Sequence, residues 1–150
     1  MSHKLPKIDT LYERDFLAWC EDTAAKLKDK DIENLDWENL IEEIETLGRS
    51  ERRELNSRLT VLLTHILKRM YVNSPENFQG WELTIREQRR KIQELLTDSP
   101  SLKPYLEEIL AKAYTNALDD VKFEYQETEF PSFLAFNTNT NSLLFEIYWK

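Results

Sequence analysis

From Leu35 to Met70 the chain, LDWENLIEEIETLGRSERRELNSRLTVLLTHILKRM, sets apolar residues among charged ones at helical spacing. Trp37, Leu40, Ile41, Ile44 and Leu47 recur every three or four positions, and Leu55, Leu59, Leu62, Leu63, Ile66 and Met70 resume the pattern beyond Gly48. This period gathers the apolar side chains on one face of an α-helix. Asp36 offers a cap for the first stretch. Gly48 suits the left-handed residue that ends a helix and Ser50 suits a fresh cap, which predicts two helices meeting there; one continuous, kinked helix is the alternative. Val61 and Leu67 widen the second stripe, so that helix is expected at the centre of a bundle.

The same reading extends along the chain. Asp9 or Thr10 can cap a first helix running to about Leu27, with Leu11, Tyr12, Phe16, Trp19, Thr23 and Leu27 facing inward. KDKDIEN is a turn. Asn73-Ser74-Pro75 breaks the helical pattern, since proline lacks the amide donor and restricts the residue before it. A fourth helix is expected from about Trp81 to Leu96, with Trp81, Ile85, Ile92, Leu95 and Leu96 inward, and a fifth from about Ser101 to Tyr125 after Asp98-Ser99-Pro100. Beyond Phe130-Pro131 the periodicity fails. NTNTNS is a polar loop, and SLLFEIYWK is a short helix or a strand-like tail that packs its aromatics on the bundle. The expectation is a single all-α domain: a flexible N-terminus over 1–9, an up-and-down bundle of about five helices over 10–127, and a packed tail over 128–150.

Composition narrows the chemistry. The chain has 150 residues, enough for one core without staples. With only two glycines, it contains neither a dinucleotide-binding nor a Walker-type glycine pattern. A formal charge of −8 disfavours adhesion to nucleic acid or anionic membrane. Cys20 is the single cysteine, which excludes an intramolecular disulfide and most cysteine zinc sites; it faces the apolar side of its helix as a small core residue. No apolar run reaches the roughly 18 residues of a spanning helix, and MSHKLPKIDT has no signal-peptide core. A cytoplasmic protein is expected. The cationic groups Arg49-Arg52-Arg53 and Arg86-Arg89-Arg90-Lys91 are interleaved with Glu51, Glu54, Glu87 and Glu94, so pairing along and between helices accounts for them.

Helical projection also brings polar groups toward the inner faces. Asp15 falls between Leu11 and Trp19, Glu45 beside Ile41, Glu43 beside Leu47, His65 beside its stripe, Gln88 inside one and Arg89 at its edge. A polar group removed from water without a partner costs about 1–3 kcal/mol. A network drawn from Asp15, Glu43, Glu45, His65, Gln88 and Arg89 is therefore expected. Its roles are helix registration, acid–base catalysis by His65 with a carboxylate orienter, or metal binding. No cofactor and no metal are expected, because bundle di-metal sites use Glu-x-x-His pairs and none occurs; a divalent ion on Glu45 and His65 is the alternative.

Several blocks carry a resemblance: LYERDFLAW at 11–19, LDWENLIEEIETLGRSERREL at 35–55, LLTHILK at 62–68, and WELTIREQRRKIQELLTDSPSLKPYLEEILAKAYTNA at 81–117. In order and spacing the chain resembles the mainly cyanobacterial domain-of-unknown-function family numbered 29. The resemblance implies an all-α up-and-down bundle and brings no activity with it. Its pattern includes the positions of Asp15, Trp19, Asp36, Leu40, Glu42, Glu43, Glu45, Gly48, His65, Trp81, Arg86, Gln88 and Arg89, and the tail beyond Pro131 departs from it. The functional expectation is a small helical interaction or regulatory protein, with an unknown protein partner and an acidic face such as Glu38 with Glu42; a homo-oligomer is compatible with it. A metal- or acid–base-dependent hydrolase centred on the His/carboxylate cluster is the alternative.

Overall fold

The computed structural model describes residues 10–132 and 139–149. Residues 1–9, expected to be flexible, and the start of the NTNTNS loop lie outside them. Six α-helices and no strand occupy the described residues: α1 (Leu11–Arg14), α2 (Phe16–Lys28), α3 (Trp37–Tyr71), α4 (Pro75–Asp98), α5 (Leu102–Glu124) and α6 (Thr140–Phe145). The all-α expectation is met. The chain divides into two compact units after Gly48.

In the first unit, what the periodicity read as one opening helix is two. Thr10 caps α1 by accepting from the Glu13 amide at 3.3 Å. Asp15 then leaves the helical conformation, with φ −151° and ψ 91°, and accepts from the Ala18 amide at 3.0 Å as the cap of α2. Asp15 is thus exposed rather than inward: an aspartate among apolar residues gains more by satisfying orphan amides than by burial. Lys30, with φ 57°, turns the chain out of α2 in the left-handed region. Asp36 caps α3, accepting from the Asn39 amide at 3.3 Å and from its side chain at 2.7 Å. Tyr12, Phe16 and Trp19 form an aromatic cluster with centroids 5.0–5.8 Å apart, and among the described residues of the unit Trp19, Thr23 and Leu35 are buried.

Gly48 ends nothing. α3 passes through it for 35 residues, and no glycine has positive φ. A break would orphan backbone groups on both sides, whereas an interior glycine costs only about 1 kcal/mol.

The second unit holds the larger core. Leu55, Leu59, Leu62, Leu63, Ile66 and Leu67 of α3 are essentially inaccessible and meet Ile85, Ile92 and Leu96 of α4, Leu106, Ala113, Tyr114, Ala117 and Val121 of α5, and Leu143 and Leu144 of α6. The central stripe lies where its width predicts. α4 starts six residues before Trp81, because Pro75 occupies the first turn, where a missing amide is harmless. The tail forms a short helix, and Tyr148 and Trp149 pack partly buried against the core.

Candidate functional site

The six polar residues singled out by the helical projection fall into separate places. In the first unit, Glu43 is half-buried and accepts a hydrogen bond from the Tyr12 hydroxyl, which pushes the Tyr12 pKa up to about 12. Asp15 caps α2 at the surface, and Glu45 is exposed on α3. The other three lie in the second unit, each with different partners. Gln88 accepts from Arg58 at 3.2 Å.

His65 sits half-buried on α3, its Nδ1 2.8 Å from the Val61 carbonyl. A carbonyl only accepts, so Nδ1 carries the proton. Burial holds the imidazole below its ordinary 6.5, against the opposing pull of that hydrogen bond. Lys68, three residues on, is buried at 9 % exposure and binds Glu124 at 2.9 Å while lying over the Tyr125 ring. The Lys68 hydrogen bond holds Glu124 below the usual carboxylate range. The projection missed Lys68 and Glu124, which come from α3 and the last residue of α5. Helical spacing reports on one helix at a time and carries no sign of this pairing. Among the described residues, no three of His, Cys, Asp and Glu gather as metal ligands.

Arg89 has the most defined role. It is buried at 9 % exposure, and its Nε and one terminal nitrogen donate to the carbonyls of Leu143 at 2.7 Å and Glu146 at 2.6 Å. Burial lowers its pKa, but a guanidinium remains a cation. These carbonyls lie at the C-terminal end of α6, where helix acceptors are orphaned and positive charge is favoured. Arg89 therefore fastens the tail helix to α4.

The largest departure from expectation lies on α3 of the first unit. Trp37, Ile41, Ile44 and Leu47 are exposed at 48 %, 52 %, 61 % and 68 %, although their spacing matched that of a core stripe. Of that set only Leu40 is half-buried; Asn39, Leu40 and Glu43 turn inward instead. Phe16, Leu17, Leu27 and Ile32 of the same unit are also exposed. Eight large apolar side chains, each about half or more exposed, thus stand on this unit, and single exposed apolar residues are ordinary whereas several sharing one helix face mark an interaction surface.

Charge is concentrated in the same unit. Thirteen of the 28 acidic residues and six of the 20 lysines and arginines stand in the first 48 residues, which thus hold seven of the eight net negative charges. At 100° per residue, Trp37, Ile41 and Ile44 share one α3 face, and Glu38, Glu45 and Glu42 follow along its flank. All three glutamates are exposed.

The family model for Domain of unknown function DUF29 matches residues 11–149, and the chain belongs to that family. No curated protein and no solved structure matches it.

Proposed function

We propose that this DUF29 chain is a cytoplasmic helical interaction module, working without a cofactor, whose N-terminal unit takes up a basic amphipathic helix of a partner protein. The exposed Trp37–Ile41–Ile44 face carries the reading. Its i, i+4, i+7 spacing matches the anchor spacing of a helix laid along a helix. The acidic flank selects the charge of the occupant and repels a second copy bearing the same charges. A free thiol at Cys20 agrees with a reducing compartment. No helix among the described residues is long and apolar enough to cross a membrane.

Isothermal titration with a synthetic amphipathic helix of about 18 residues, leucine on one face and lysine and arginine on the other, tests the proposal. Saturable one-to-one binding is expected. Burying two half-exposed isoleucines contributes about 1–2 kcal/mol each, so the Ile41→Ser, Ile44→Ser double variant should bind at least about tenfold more weakly. Equal binding by that variant, or by a peptide with glutamate replacing its cations, would refute the reading. Concentration-dependent dimerisation lost in the same variant would assign the face to a second copy instead.

A further inference from the structure

A groove of about 1020 Å³ opens on the second unit between α4 and the α6 tail. Its floor includes Ile85 and Leu144, both buried. Among the described residues of this unit, four large apolar side chains are exposed: Leu83, Phe123, Phe145 and Ile147. Three of them, Leu83, Phe145 and Ile147, line this groove together with Trp149. Only Phe123 of the four lies outside it, so the convergence of the other three on one concavity marks surface that a ligand would cover.

The groove is also cationic, in a chain of net charge −8. Arg86 and Arg90 line it from successive turns of α4 and are both exposed. Neither has a hydrogen-bond or ion-pair partner among the described residues. The other charges of the groove are engaged: Arg89 with the tail carbonyls, Glu82 with Arg69 at 3.0 Å, and Glu76 with Ser74 at 2.7 Å. Like charges four apart on a helix repel, at a cost of a few tenths of a kcal/mol. Their Cβ atoms lie about 5–6 Å apart, close enough for both guanidiniums to reach one carboxylate in the forked geometry that arginine favours. Gln93, also lining the groove, adds an amide beside them.

We infer that this groove binds an amphiphilic carboxylate, a small molecule with an acyl or aromatic body. Arg86 and Arg90 hold the head group, and the body lies over Leu83, Phe145 and Ile147. The volume sits at the upper end of the ~300–1,000 Å³ usual for small-molecule sites. Every lining residue of the groove belongs to the second unit.

Calorimetry and NMR titration of the full chain with sodium decanoate below its micelle concentration test this. Saturable binding is expected, with shifts at the Phe145 and Trp149 rings and the Leu83 methyls. The Arg86→Gln, Arg90→Gln double variant, altered only at exposed positions, should bind about ten- to a hundredfold more weakly, the loss of one or two charge-assisted hydrogen bonds. Phe145→Ser should also weaken binding, while 1-decanol and decyltrimethylammonium should bind at least about tenfold less than decanoate. Absence of saturable decanoate binding overturns the inference, as does binding that the double variant keeps or that the uncharged alcohol equals. Binding only of an acidic peptide, with none of decanoate, assigns the groove to a protein partner and also overturns it.

Discussion

Replacing Arg89 with leucine removes the guanidinium that holds the end of α6, and the cost can be worked from its two partners. The bonds lost are those to the Leu143 carbonyl at 2.7 Å and the Glu146 carbonyl at 2.6 Å. Hydrogen bonds to charged groups contribute about 1.5–3 kcal/mol each. The burial cost of the guanidinium disappears with it, which offsets part of the loss. Glu146 is exposed, so its carbonyl regains water, but Leu143 is 1 % exposed and its carbonyl would be stranded while α6 stays docked. The net penalty on the docked tail is therefore about 2–4 kcal/mol. Amide exchange reads this directly, because the Leu143 and Glu146 amides are held within α6 by Asn139 and Ser142 carbonyls. In Arg89→Leu both should exchange about thirty- to a thousandfold faster, while the Ala117 and Val121 amides of α5 change far less. Arg89→Lys should fall between, since one ammonium cannot fork two carbonyls at this spacing. Exchange in α6 within threefold of the parent would mean that Arg89 does not fasten the tail.

Three other outcomes rest on single residues. A Cβ at Gly48 would meet nothing within 4 Å, and its φ is not positive, so Gly48→Ala should stabilise α3 by up to about 1 kcal/mol in urea unfolding; destabilisation would mean that α3 breaks there. The folded pKa of His65 lies below its unfolded 6.5, so the unfolded chain takes up the proton first. Its contribution is complete above about pH 6.5 and is lost as pH falls toward the folded pKa. Urea titrations of His65→Asn should lack that part of the pH dependence. Ultraviolet titration should find Tyr12 ionising near 12, and Glu43→Gln should bring it back toward 10; an unchanged value would remove Glu43 as the cause.

The fold was legible because helical period and capping residues are local. Asp36 before Trp37 and Ser99-Pro100 before α5 announce helix ends whatever surrounds them. Gly48 and Asp15 misled for one reason: each residue type suits two roles, and the choice depends on neighbours that spacing does not reveal. The glycine could end a helix or be tolerated inside it; the aspartate could pair inward or cap. The stripe from Trp37 to Leu47 shows the deeper limit. It has the same period as Leu55–Ile66, yet one is exposed and the other inaccessible. Periodicity identifies the apolar face of a helix and says nothing about whether another element of the chain covers it. The expected polar network dispersed for the same reason: projection orders residues around one helix, whereas Arg89 finds its partners 54 and 57 residues away in the tail.

Ile41 and Ile44 stand on the exposed face of α3, and their δ1-methyls report directly on what docks there. During titration with the basic amphipathic peptide, these two signals should shift and saturate together, while those of Ile85 and Ile92 in the second unit stay in place. Raising the salt should weaken the effect, as expected for a partner chosen by charge. Shifts centred on Ile85 or Ile92, or the same shifts with the acidic peptide, would contradict the assignment of this face to a basic helix.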